Sequence, residues 1–117
     1  MTLANSPQPP GRISLDCENG RRVIRLAGEI DTSTIDAFEA AHRLQLTEDN
    51  APLRADEAIS MVDLADVSFL SSTGISFLVR HTRAAREHGH RPALRGLHDP
   101  ARRVLQITGV DSLFHVT

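Results

Sequence analysis

The chain predicts an α/β domain: a mixed, mainly parallel sheet of four to five strands with three or four helices packed against it. Short apolar runs of strand character, at 13–17, 23–26, 58–64, 93–95 and 113–116, are separated by segments whose apolar residues recur at helical spacing. An Asn19-Gly20 pair joins the first two runs as a hairpin, because both central residues of a type I′ turn need positive φ. The later runs each follow a helical segment, and right-handed crossovers of that kind build parallel sheets.

In the first run Ile13, Leu15 and Cys17 alternate with polar residues, and after the turn Val23, Ile24 and Leu26 resume the apolar pattern. Gly28-Glu29-Ile30-Asp31 ends the hairpin. Asp31 or Thr32 then caps a helix that carries Ile35, Phe38, Ala41 and His42 on one face. The polar stretch 47–57 reads as a surface loop, longer than a compact domain needs. Ala58 to Leu64 reads as a buried strand with Ile59, Met61 and Val62.

Ser71, Ser72 and Thr73 stand between the β-like run Val67-Ser68-Phe69-Leu70 and a helical run from about Thr73 towards Glu87. Ile75, Leu78, Val79 and Thr82 form that helix's i, i+3, i+4, i+7 stripe, and Gly89 stops it. Ala93-Leu94-Arg95 is a short strand. Asp99 as N-cap and Pro100 at the first helical position open a last helix, with Ala101, Val104, Leu105 and Thr108 inward and Gly109 as the stop. Leu113 to Val116 closes the chain as a final strand.

Composition narrows the function. With 117 residues the chain holds one core, expected over 12–117 behind a flexible tail over 1–11 that contains three prolines. The tail lacks the basic start and apolar centre of a secretory signal, and no apolar run approaches a membrane span, so a cytoplasmic domain without direct membrane insertion is expected. The net charge of −2 and the scattering of all 13 basic residues, every one an arginine, argue against nucleic-acid binding. The absence of Trp and Tyr removes the usual stacking platforms. A lone cysteine, Cys17, forms no internal disulfide and no thiolate-rich metal site.

The hydroxyl run is the feature with chemistry. At a helix N-terminus the first N–H groups lack intrahelical partners and the dipole is positive, so an added phosphate is both exposed and electrostatically tolerated there. The plain structural role of Ser72 is an N-cap hydroxyl, worth about 1 kcal/mol and compatible with modification. A hydrolytic serine is disfavoured because no Gly-x-Ser-x-Gly elbow is present. His88-Gly89-His90 offers a histidine pair without an evident third ligand, so neither a metal nor a cofactor is expected.

Gly28-Glu29-Ile30-Asp31, the strand and turn from Val62 to Leu70, the Ser71-Ser72-Thr73-Gly74 run, and 99–110 with its Thr108-Gly109 resemble, in order and spacing, the STAS domain of bacterial anti-sigma-factor antagonists. The resemblance spans about 13–116 and implies the STAS fold over 12–117. It implies a non-enzymatic regulator that binds an anti-sigma factor with serine kinase activity, releases the sigma factor, and is switched off by phosphorylation, with a serine phosphatase as a further partner. Such proteins commonly read Asp-Ser-Ser-Gly at the second helix; aligned on Gly74, the acceptor is Ser72, with Ser71 and Thr73 as alternatives. Ser71 stands where the family carries aspartate. By the same resemblance Asp31, Thr32, Ser71, Ser72, Thr73 and Gly74 form the partner-binding surface, Asp31 serving equally as a helix cap. The other function the fold suggests is an accessory subunit of a membrane transport system.

Overall fold

The computed structural model describes residues 11–42 and 58–117, so the loop expected over 46–57, and the tail expected over 1–11 apart from Gly11, lie outside the described residues. Five strands form one sheet in chain order: β1 (Arg12–Glu18), β2 (Arg21–Ile30), β3 (Ile59–Leu70), β4 (Ala93–Arg95) and β5 (His115–Val116). β1 and β2 pair antiparallel and every later pair is parallel. The hairpin turn has the expected geometry, with φ of 54° at Asn19 and 78° at Gly20.

Four helices connect the strands: α1 (Thr32–Ala41), α2 (Ser72–His81), α3 (Arg83–Glu87) and α4 (Asp99–Thr108). Ile24, Leu26 and Ile30 of β2, Val62 and Leu64 of β3 and Leu94 of β4 meet Ile35 and Phe38 of α1, Phe77 and Leu78 of α2 and Leu105 of α4 in a single core. Phe38 and Phe77 meet edge to face, with centroids 5.8 Å apart, while His42 stacks on Phe38.

Arg25 and Asp63 fall between core residues on their strands and Arg95 follows core Leu94, so all three point to the other face of the sheet. They are register partners across β2, β3 and β4, and the two arginines hold Asp63 at 3.0 and 2.9 Å. Asp16 and Glu18 of β1 extend the ladder, Asp16 to Arg25 at 3.0 Å and Glu18 to both arginines. Burial pushes the Asp63 carboxyl up, but the Ala65 N–H and the two guanidinium groups outweigh it and hold its pKa below the usual value.

The structure corrects the expected elements in several places. The third strand does not end near Leu64 but runs twelve residues to Leu70, kept in the sheet by pairing with β2 as far as Ile30. The long second helix is two helices. At Thr82, where φ is −104° and ψ is 3°, the hydroxyl donates to the Leu78 carbonyl at 2.5 Å. The Arg86 guanidinium donates to the Val79 carbonyl and to Thr82 Oγ1, each at 2.7 Å. Such side-chain bonds compete with the helical ladder and bend it.

His98, not Asp99, occupies the cap position of α4, so Asp99 and Pro100 are its first two residues. Of that helix's expected inner face only Leu105 is buried; Ala101 is half-buried, Val104 and Thr108 are exposed. On α1 the inward row is Ile35, Phe38 and the half-buried His42, leaving Ala41 exposed. The last strand is shortened because Val110–Leu113 forms a 3₁₀ turn after Gly109, whose φ is 79°. β4 can pair with only a short partner, since Gly96 ends it at φ 79°; a Cβ there would lie 2.6 Å from the Ala65 backbone.

Candidate functional site at the start of the second helix

Ile30 and Leu70 are register partners at the C-terminal ends of β2 and β3, so Asp31 and Ser71 leave adjacent parallel strands side by side. Strands spaced about 4.8 Å apart thereby set the N-termini of α1 and α2 next to each other. The six residues expected to form the site, Asp31, Thr32, Ser71, Ser72, Thr73 and Gly74, all lie at this one edge of the sheet.

Asp31 caps α1, deciding between the two cap candidates. Its Oδ1 accepts from the Thr34 N–H and the Thr34 hydroxyl, both at 2.9 Å, and from the Ser33 hydroxyl at 3.2 Å. The Thr34 backbone N–H is the main cause, followed by the Thr34 hydroxyl, of a carboxyl pKa below its ordinary value. The exposed Asp31 is therefore a fixed negative charge. Thr32 is the exposed first residue of α1.

On α2 the cap belongs to Ser71, not to Ser72. Ser71 has extended backbone, φ −77° and ψ 170°, and its Oγ accepts from the Gly74 N–H at 3.1 Å. The same hydroxyl donates to the Ile30 carbonyl at 3.2 Å, so it is held from two sides. Ser72 and Thr73, the first two helical residues, are exposed. Gly74 is buried against Leu70 and Ile30; a Cβ there would meet Leu70 Cδ1 at 2.6 Å, so its lack of a side chain lets the helix start sit close on the strand ends. No acidic residue occupies the first turn of α2, which leaves its dipole uncompensated there.

A second feature adjoins this edge and was not legible in the sequence. Phe69, three residues before Ser72, is 55 % exposed, and on α4 Val104 and Ile107 are 43 % and 77 % exposed. Phe69 and Val104 face a groove of about 380 Å³ that Val67, Leu97 and Ala101 also line. Helical spacing places Val104 equally well in a core stripe, so periodicity could not mark it as surface. Elsewhere, His88 and His90 flank Gly89 after α3; among the described residues no cluster of three His, Cys, Asp or Glu could hold a metal. No helix of the described residues is long and apolar enough to cross a membrane.

Fold and site together define a small α/β domain with a hydroxyl-rich helix start and an adjoining apolar groove. The STAS domain pattern matches residues 12–117, and the chain belongs to that family. It is similar to the anti-sigma-B factor antagonist of Staphylococcus aureus, 29 % identical over 94 residues that make up 80 % of each protein. It resembles the crystal structure of an anti-sigma factor antagonist from Mycobacterium paratuberculosis, with a TM-score of 0.63 and 28 % identity over 92 % of this chain and 85 % of that one. The phosphorylated form of the Bacillus cell fate determinant SpoIIAA shares the fold, with a TM-score of 0.60 and 19 % identity over 90 % of each chain.

Proposed function

We propose that this chain, with residues 12–117 as its functional unit, is a cytoplasmic, non-enzymatic anti-sigma-factor antagonist. It binds an anti-sigma factor with serine kinase activity, frees the sigma factor, and is switched off by phosphorylation of Ser72; a serine phosphatase resets it. The observation that carries this reading is the division of labour at α2. Ser71 holds the helix start while Ser72 stands exposed beside it, free of the cap.

The physics of such a switch is local. A phosphate on Ser72 adds about −1.5 to −2 charges at the positive end of α2, which favours anions, so the domain stays folded. Its effect falls on the partner. Asp31 on the neighbouring helix start already supplies a negative charge to this edge. A partner fitted to that edge and to the exposed Phe69 meets a second, larger charge after phosphorylation. Weakening the complex a hundredfold to a thousandfold takes roughly 3 to 4 kcal/mol, within reach of one desolvated like-charge contact.

The test uses the cognate anti-sigma factor with ATP. Intact-mass and fragment spectra are expected to place one phosphate on Ser72, and Ser72→Ala to bind without being modified. Ser72→Asp is expected to keep its melting temperature and lose the partner. Phosphorylation of Ser72→Ala at the wild-type rate, or normal binding by Ser72→Asp, overturns the reading.

A further inference from the structure

At the opposite edge of the sheet, where the parallel strands begin, Arg21, His90, Arg91 and His115 surround a pocket of about 490 Å³. They come from three separate parts of the chain: the start of β2, the segment before β4, and β5. No carboxylate of the described residues lines this pocket. Elsewhere on the domain the pattern is different, since Arg25, Arg80, Arg83 and Arg95 each hold an acidic side chain within 3.2 Å. Among the described residues, the side-chain hydrogen bond that the pocket's two arginines make is a long one, Arg91 Nη2 to the Ser112 carbonyl at 3.3 Å.

The wall of the pocket carries a second, independent feature. The register between β2 and β3 steps from Arg22↔Ile59 to Val23↔Met61, so Ser60 is the extra residue of a β-bulge. Its hydroxyl oxygen is fully buried and has no hydrogen-bond partner among the described residues. A buried unsatisfied hydroxyl is destabilising, and a bulge re-aims the side chain of its extra residue. All four basic side chains are exposed at the pocket; Arg91 reaches the Ser112 carbonyl, and the side chains of Arg21, His90 and His115 have no protein acceptor among the described residues.

We propose that this pocket binds a small ligand through a phosphate group. Arginine forks match phosphate oxygens bidentately, and the ring N–H groups of His90 and His115 complete the donor set. The volume lies within the about 300 to 1,000 Å³ typical of small-molecule sites. β3 separates this pocket from Ser72 by roughly 30 Å along its length, so the site is distinct from the α2 edge and does not depend on the function proposed for it. The phosphate belongs either to free inorganic phosphate or diphosphate, or to a sugar phosphate.

The experiment is an amide NMR titration of the full chain, at constant ionic strength, with inorganic phosphate, pyrophosphate and ribose 5-phosphate in turn. Saturable shifts are expected at Gly20, Arg21, Ser60, Arg91 and His115 and not at Ser72 or Thr73; the tightest of the three probes identifies the source. Arg21→Ala combined with Arg91→Ala is expected to weaken binding at least tenfold. Ser60→Ala is expected to leave binding within about twofold of wild type and the melting temperature unchanged or raised, since it removes an unsatisfied buried group that faces no ligand; a tenfold loss in this variant overturns the assignment of the donors to the four basic side chains. Linear, unsaturated shifts with all three probes, shifts centred on α2, or equal affinity in the double arginine variant overturn the proposal.

Discussion

Ser71 joins the beginning of α2 to the end of β2, donating its hydroxyl proton to the Ile30 carbonyl at 3.2 Å while accepting the Gly74 N–H at 3.1 Å. One small side chain thereby satisfies a helix donor and a strand acceptor. The neighbouring Ser72 is left to solvent.

The two serines are accordingly expected to respond differently to truncation. Ser71→Ala loses the cap and leaves the Ile30 carbonyl short of a donor, a cost of about 1 to 2 kcal/mol, or several degrees in melting temperature for a domain of this size. Ser72→Ala, an exposed change, is expected to stay within about 0.5 kcal/mol of wild type. Thermal unfolding of both variants checks this. An equal loss from each places the cap elsewhere.

Ser71→Asp separates stability from phosphorylation. An ionised aspartate still accepts from Gly74 but cannot donate to Ile30, so it turns a hydrogen bond into a repulsion between two oxygens. A lower melting temperature than wild type is expected. In single-turnover phosphorylation by the cognate kinase a faster rate is expected, because the change supplies the carboxylate that the family resemblance implies beside the proposed acceptor, Ser72. An unchanged rate shows that this kinase does not use that charge.

Phe69 tests the groove. Truncation to Ala removes an exposed ring, so the melting temperature is expected to hold, whereas affinity for the anti-sigma factor is expected to fall by more than about 1 kcal/mol, the scale of aromatic contacts at interfaces. Calorimetric titration of the wild type and Phe69→Ala with the same partner measures the difference. Unaltered affinity places the interface away from the groove.

The charge ladder makes stability depend on acid. Because the folded pKa of Asp63 lies below its unfolded value, its contribution is fully present above the unfolded pKa, near 4, and is lost as pH falls through the folded pKa. Urea midpoints for wild type are expected to drop below pH 4. Asp63→Asn is expected to be less stable than wild type at pH 7 and to show a shallower drop in acid. Parallel pH curves for the two proteins exclude Asp63 as a source of the dependence.

Glu39 of α1 receives Arg80 Nη2 and His81 Nε2 of α2, both at 2.5 Å, and the His81 side chain is only 3 % exposed. Glu39→Gln keeps the shape but removes the charge from this link. Stability is expected to fall by roughly 1 kcal/mol, because Glu39 and Arg80 are partly exposed and only the His81 side of the contact is buried. Chemical denaturation of Glu39→Gln, of Arg80→Gln and of the double variant tests whether the loss lies in the α1–α2 contact; additive losses locate it elsewhere.

Local pattern was enough for much of the fold. The Asn19-Gly20 turn, the β4 strand at Ala93–Arg95 and the Gly109 stop each depend on the φ preference or periodicity of a few adjacent residues, which is information carried in a short window. The hydroxyl run was also readable, because a polar cluster between a strand run and a helix run announces a helix start.

Which hydroxyl does which task was decided only in three dimensions. Ser71 and Ser72 are the same residue in the same kind of sequence, and it is the Ile30 carbonyl, 41 residues away along the chain, that selects Ser71 as the cap. The length of β3 follows likewise from pairing with β2, and the break at Thr82 from competing bonds to Leu78 and Val79. The exposure of Val104 and the gathering of Arg21, Arg91 and His115 are set by how distant segments pack. Residue order specifies local dihedral preference and apolar spacing; which donors, charges and apolar faces remain unpaired depends on contacts between distant segments, which only the folded chain supplies.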